Sequence, residues 1–140
     1  MITQLEKDLL RDEGSRSRIY QDSLGFWTIG VGRLVDPRSQ KGLSPDEIKY
    51  LLRNDIQEAL QDITNESWYQ SLETNGQRRA VLNMRFQLGG EGLRKFVRSL
   101  KLLEEGKWLE AGQEFRKSKW YSQTPERAER VIRLIEMKDN

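Results

Sequence analysis

Cysteine and histidine are both missing from this chain of 140 residues. Without cysteine there can be no disulfide framework and no thiolate metal site. Together the two absences exclude a zinc amidase built on histidine and cysteine ligands, a Ser-His-Asp hydrolase and a Cys-His peptidase. Proton transfer must therefore fall to Asp, Glu, Lys or Tyr, and no metal or organic cofactor is expected. Long hydrophobic runs are lacking too. Nowhere do about eighteen apolar residues follow one another, so nothing is expected to insert in a membrane. The opening Met1-Ile2-Thr3-Gln4-Leu5-Glu6-Lys7-Asp8 is acidic and amphipathic, without the basic start and apolar stretch of a secretory signal. Synthesis in a cytoplasm is the expectation. Repeats and low-complexity segments are likewise missing.

What is present is charge. The chain carries 24 Lys plus Arg against 22 Asp plus Glu, a formal net of +2. The first seventy residues hold nine basic and twelve acidic side chains, the second seventy fifteen and ten. A basic second half suits a polyanion such as nucleic acid, an anionic membrane or a bacterial wall, and it equally suits a solvated helical surface. The length fits one domain able to bury a core without covalent staples.

Thr3-Gln4-Leu5-Glu6 has capping-box spacing, and Leu5, Leu9 and Leu10 make a short apolar stripe. This predicts a first helix, stopped by Gly14, with Glu13 at its very end. From Ile19 to Leu34 the composition turns to β. Ile19, Tyr20, Phe26, Trp27, Thr28, Ile29 and Val31 are β-branched or aromatic, and Asp22-Ser23-Leu24-Gly25 supplies a turn. Gly30 and Gly32 around Val31 indicate close backbone approach or a bend. One hairpin, with a third strand near Leu34, is the expectation. Asp36-Pro37-Arg38 and Lys41-Gly42 mark a loop. Ser44-Pro45-Asp46-Glu47 then opens a helix, with Ser as N-cap and Pro in the first turn. Ile48, Leu51, Leu52, Ile56, Ala59, Leu60 and Ile63 recur at threes and fours, predicting a helix about 30 Å long, enough to join two lobes. Beyond Trp68 the chain reads as short helices. Val81, Met84 and Leu88 set one face, closed by Gly89-Gly90; Phe96, Leu100 and Leu103 set another, closed by Gly106. Trp108, Ala111 and Phe115 set a third, and Thr124-Pro125-Glu126 starts a last helix with Ala128, Val131, Ile132 and Ile135 inward. The fold class is α+β: a small β hairpin region in a mostly helical protein.

Glycosidic cleavage uses two carboxyl groups, one protonating the leaving oxygen and the other activating water or attacking carbon. Helix-end Glu13 and turn-borne Asp22 have eight residues between them. A helix ending beside a hairpin can bring two such positions across one cleft, although the spacing does not require it.

A pattern of residues adds to this. Glu13-Gly14, Tyr20-Gln21-Asp22 and Thr28-Ile29-Gly30-Val31-Gly32 resemble the catalytic signature of phage-type lysozymes, in which Glu, Asp and Thr follow at these spacings. Asn83-Met84-Arg85-Phe86-Gln87-Leu88-Gly89 resembles the cleft-lining helix of that family. Trp120-Tyr121, Gln123-Thr124-Pro125, Arg127-Ala128 and Arg130-Val131-Ile132 resemble its last helix. The resemblance implies a lysozyme-like fold in a single domain. Residues 14–43 would form a β-containing lobe with a hairpin or three-stranded sheet, 44–64 a connecting helix, and 1–13 with 65–140 a helical lobe. It implies a muramidase that inverts the anomeric centre, with Glu13 as general acid, Asp22 as base or charge stabiliser, and Thr28 helping to hold the attacking water. Inversion implies carboxyls roughly 6.5–9.5 Å apart. Arg127 matches a family arginine that positions the acid; a neighbouring cation favours ionisation, so burial or another acid would have to oppose it. Matching positions for sugar binding are Leu34, Phe86, Gln87, Ser99 and Glu114, with peptidoglycan as partner. The family likeness further implies a monomer, acting on the wall during host lysis once a separate pore-forming protein has breached the inner membrane.

Each of these residues also has a plainer reading. Phe86 on helical spacing reads as core, Ser99 as a surface residue, Thr28 as a good β former. Trp27, Trp108 and Trp120 could be sugar platforms, but Trp108 and Trp120 read better as core. Departures exist as well: Arg33 stands where several relatives carry His and gives up a buried ion pair, and Glu114 replaces an amide. Two other functions stand beside the enzyme. A wall-binding module without turnover would not need Glu13, Asp22 and Thr28 together. A nucleic-acid binder would rest on Arg78-Arg79 and Arg94-Lys95 alone, without base-reading motifs, and no nucleic-acid partner is expected.

Overall fold

The computed structural model describes residues 2–38 and 42–137; Lys41 of the expected loop lies outside them. The chain forms two compact units, residues 1–49 and 50–140, with the boundary inside a long helix.

In the first unit, helix α1 (Ile2–Glu13) ends where the sequence predicts, and the Gly14 N–H still bonds to the Leu10 carbonyl at 3.0 Å. The helix is already under way at Ile2, so Thr3 lies within its first turn rather than capping it. Leu5, Leu9 and Leu10 occupy the expected stripe, yet each stays about half exposed. Strands β1 (Arg16–Gln21), β2 (Trp27–Gly30) and β3 (Arg33–Leu34) follow as an antiparallel sheet in that order. Tyr20 faces Thr28, Gln21 faces Trp27, and Thr28 faces Leu34, with an irregularity between Arg16 and Tyr20. The expected third strand is therefore present. Among the described residues of this unit only Thr28 and Asp36 are buried. Both are polar, so the sheet is organised by hydrogen bonds rather than by a sealed apolar core.

Helix α2 (Pro45–Ile63) opens as its sequence dictates. The Ser44 hydroxyl accepts from Glu47 N–H at 3.2 Å, and the Glu47 carboxylate accepts from Ser44 N–H at 2.9 Å. The other Glu47 oxygen takes Arg33, so that arginine has a carboxylate partner at the surface rather than in the interior.

The second unit holds the rest: α3 (Ser67–Gln70), α4 (Asn75–Arg94), α5 (Val97–Glu104), α6 (Trp108–Arg116), α7 (Lys119–Gln123) and α8 (Pro125–Glu136). Helix α8 packs on α4, α6 and α7, while α5 packs on α3 and α6. The inward positions follow the periodicity: Val81 and Met84, Leu100 and Leu103, Ala111 and Phe115, then Ala128, Val131, Ile132 and Ile135 are buried. Phe96, Phe115 and Trp120 form an aromatic triad with centroids 5.3 to 6.0 Å apart and inclined rings, the arrangement that aromatic quadrupoles favour. Gly89 departs from expectation. It breaks α4 with φ 75°, as only glycine does readily, but helical backbone resumes and runs to Arg94. The resumed segment brings Arg94 to the Asp62 carboxylate at 2.9 Å, which Arg85 also binds at 2.6 Å. Among the described residues no helix is long and apolar enough to cross a membrane.

Two polar nodes sit in this helical core. Gln77 is fully buried with both ends of its amide used. Its oxygen accepts from the Glu73 and Thr74 N–H groups at 2.8 and 3.2 Å, and its nitrogen donates to the Ile135 carbonyl at 3.1 Å. It thus joins the start of α4 to the end of α8. Arg116 donates twice to Glu129 and twice to Glu136, at 2.8 to 3.1 Å. The Arg116 guanidinium holds the Glu129 carboxyl below the usual carboxylate value.

Gln77→Ala strands a buried carbonyl and two amides and leaves a void, and is expected to cost ~2–3 kcal/mol in urea unfolding. Glu129 is easier to ionise folded than unfolded, so its contribution is present above its unfolded value near 4.3 and fades as pH falls through the lower folded value. Glu129→Gln should thus melt below the parent at neutral pH, with the gap in Tm closing below about pH 4.

Candidate active site

Glu13, Asp22 and Thr28 all belong to the first unit, and the sheet sets their positions. Glu13 is the last residue of α1, and its side chain leans over the turn between β2 and β3. A Cβ placed on Gly32 would stand 2.9 Å from Glu13 Oε2 and 3.3 Å from its carboxyl carbon. Gly32 also has φ +70°, a left-handed backbone that resists side chains. The glycine-flanked Val31 therefore marks both a bend and a close approach, and what approaches is the Glu13 carboxyl group.

Asp22 builds its own turn. Its Oδ1 accepts from Leu24 N–H at 2.9 Å and Phe26 N–H at 2.8 Å. Its backbone N–H donates to the Phe26 carbonyl at 2.8 Å, and its carbonyl accepts from Gly25 N–H at 2.9 Å. A short acid at the first turn position does this well, because its oxygen mimics a backbone acceptor. The remaining oxygen, Oδ2, is not used by the turn.

Thr28 is buried and central in the sheet, between Tyr20 and Leu34, and its hydroxyl donates to the Phe26 carbonyl at 2.9 Å. Asp22 precedes β2 at the Trp27 end of the strand, while Glu13 meets the chain just past its Gly30 end. A four-residue strand rises roughly 10 Å at about 3.3 Å per residue. Two carboxyl groups thus flank one short strand, with Thr28 between their levels.

The sequence reading missed a further pair. Asp36 is 3% exposed and accepts four hydrogen bonds from the described residues: from Trp27 N–H at 3.0 Å, Arg38 N–H at 2.9 Å, and the Arg38 guanidinium at 2.7 and 2.8 Å. The guanidinium, then the two amides, hold its carboxyl well below the usual carboxylate range against the opposing effect of burial. In the sequence these residues marked only a loop. The one local signal was an acid and an arginine two apart across a proline.

The other candidates belong to the second unit, apart from Leu34, which is half-buried opposite Thr28. Phe86 is 46% exposed, so it is not core; it lines an open groove of roughly 350 Å³ with Leu52, Ile56, Leu82, Asn83 and Arg127. Arg127 donates to Asn83 Oδ1 through Nε at 3.1 Å and Nη2 at 2.9 Å. Gln87 accepts from the Trp120 indole at 3.0 Å and reaches Thr124 Oγ1 at 3.5 Å. Ser99 is buried rather than solvent-facing. Glu114 already holds Arg98 at 3.1 Å and Lys117 at 3.2 Å, Lys117 first and Arg98 second keeping its carboxyl below the ordinary value. Of the tryptophans, Trp120 is buried, Trp108 is half-buried, and Trp27 is well exposed.

Comparison with known proteins points one way. A family described as phage lysozyme matches residues 11–133. A protein of Dictyostelium discoideum described as probable T4-type lysozyme 2 is 34% identical over 97% of this chain and 95% of its own length. Its companion, probable T4-type lysozyme 1, is 32% identical over the same shares. The pre-baseplate central spike protein Gp5 of Enterobacteria phage T4 is 30% identical over 91% of this chain but only 26% of its own.

Gly32→Ala would add a methyl group against the Glu13 carboxyl group and force a side chain into left-handed backbone. It is expected to lose ~1–2 kcal/mol of stability in the sheet unit, read as faster amide exchange there. Displacement of the Glu13 carboxyl group should appear as a changed 13C shift of that carbon.

Proposed function

Because the chain belongs to the phage lysozyme family and is a glycoside hydrolase, we propose that it hydrolyses peptidoglycan at the β-1,4 bond between N-acetylmuramic acid and N-acetylglucosamine. The observation that carries this reading is the pair of carboxyl groups flanking β2, one against Gly32 and one in the hairpin turn.

Glu13 is the general acid. Its proton goes to the glycosidic oxygen as the bond to the anomeric carbon breaks, and the leaving sugar departs as a neutral alcohol. Water attacks that carbon from the opposite face, and its proton passes to Asp22. The anomeric centre inverts, which needs carboxyls set apart by a water, at roughly 6.5–9.5 Å. On Asp22 the receiving oxygen is Oδ2, since Oδ1 already accepts two amide hydrogen bonds. Thr28 orients the water. With its hydroxyl proton committed to the Phe26 carbonyl, its lone pairs can accept from water in a fixed direction.

Sugar binding falls to Leu34, Phe86, Gln87, Ser99 and Glu114 in this reading. The best support is at Phe86, whose exposed ring offers an apolar face to a sugar. Asn83 fixes the Arg127 guanidinium. The protein works as a monomer on wall strands in host lysis, alongside a pore-forming protein.

Glu13→Gln keeps the shape and the hydrogen-bonding reach of the side chain but cannot donate an acidic proton. It should fold like the parent and clear cell-wall suspensions about 10²–10⁴-fold more slowly. Undiminished clearing would remove Glu13 from its role. Sedimentation with purified wall by the parent, without release of reducing sugar, would instead favour a binding module.

A further inference from the structure

We propose that Asp36 and Arg38 form a positioning clamp that fixes the Asp22 carboxylate by gripping the far arm of its turn. The proposal rests on the reading of Asp22 as the base.

Three consecutive residues, Gly25, Phe26 and Trp27, make up that arm. Two of them bind Asp22 directly: Gly25 N–H donates to its carbonyl, and Phe26 N–H to its Oδ1. The third, Trp27, pairs with Gln21, the residue before Asp22. The clamp holds all three from the other side. Trp27 N–H donates to Asp36 Oδ2 at 3.0 Å, and Arg38 Nη2 donates to the Gly25 carbonyl at 2.9 Å. The Arg38 guanidinium carbon lies 4.2 Å from the centre of the Phe26 ring. Each residue of the arm therefore has one hold from Asp22 and its strand and another from the Asp36–Arg38 pair.

The partners are matched to the task. A carboxylate can stay buried only if paired and hydrogen-bonded, and Asp36 meets that condition with four donors. Its fork to Arg38 leaves Nη2 shared between Asp36 and Gly25, and the plane of the guanidinium free to stack on Phe26. A lysine has no such fork. Arg38 also lies within electrostatic range of Asp22. By binding the guanidinium through two nitrogens, Asp36 keeps that cation on the Gly25–Phe26 side, so it does not become the direct partner of the carboxylate that must take a proton. Geometry at a reacting group is costly to lose: a misplacement near 1 Å can lower a rate about a hundredfold.

The test measures kcat and KM on soluble glycan chains for Arg38→Gln, Asp22→Asn and the double variant, with circular dichroism melts of each. Arg38→Gln should lower kcat by about ten- to a hundredfold with KM changed less than about twofold. The double variant should be no slower than Asp22→Asn alone, since a residue acting through Asp22 has nothing to act on once that carboxylate is gone. Should Arg38→Gln be unfolded at the assay temperature, Arg38→Lys, which keeps the charge but not the fork, is read against the same criteria. An unchanged kcat in a folded variant would overturn the clamp, and so would losses that multiply in the double variant. If Asp22→Asn itself turned over at the parental rate, the assignment of the base would fail, and the clamp with it; a dead Asp22→Asn beside an unaffected Arg38→Gln rejects the clamp alone.

Discussion

The buried carboxylate of Asp36 is the interaction on which the sheet unit depends. A charge removed from water is tolerated only with partners, and the partners here are the amide of a strand, the amide of a loop and a guanidinium fork. Those donors come from positions 27 and 38, so one carboxylate sets where β2 lies relative to the loop following β3. The Asp22 turn and the Thr28 hydroxyl are organised around the same strand. In this unit a polar network performs the task that apolar packing performs elsewhere, and Asp22 and Thr28 are attached to it.

The helical unit uses the opposite strategy with the same logic at its edges. Its interior is apolar, but amides sit at the points where helices must register. Gln77 links α4 to the final turn of α8, and Gln87 links α4 to Trp120 and Thr124. Gln87 is therefore held by the fold whether or not it meets a sugar. Its orientation is preset, which spares a binding residue the entropy of being ordered on contact. The same bonds would make it a poor place to alter specificity, since a new side chain there also releases the Trp120 indole.

Much of this was legible in the sequence, where the determining interactions are local. The stop at Gly14 placed Glu13 at a helix end, the Asp22-Ser23-Leu24-Gly25 turn folded as written, and Ser44 with Glu47 capped α2. The apolar faces of α4 to α8 were readable because helical periodicity survives in any surroundings. Burial was less readable. Leu5, Leu9 and Leu10 declare a helix but not what covers it, and they stay half exposed. Least visible were the non-local polar bonds. Asp36 reaches back nine residues to Trp27, and Gln77 reaches 58 residues to Ile135; a polar residue inside a periodic pattern gives no sign of such a partner. Ser99 shows the same limit: its plainer reading was a surface hydroxyl beside the sugar-binding one, and it lies in the interior.

Among the described residues of the first unit no apolar side chain is sealed from solvent, which has a thermodynamic consequence. Heat-capacity change and denaturant slope on unfolding both scale with the surface newly exposed, apolar surface above all. The sheet unit has less to expose than the helices, and its opening will register weakly in either quantity. A calorimetric or urea transition of this protein therefore reports chiefly on the helices. The part that carries Glu13 and Asp22 can loosen almost silently, visible to amide exchange long before it is visible to a melting curve.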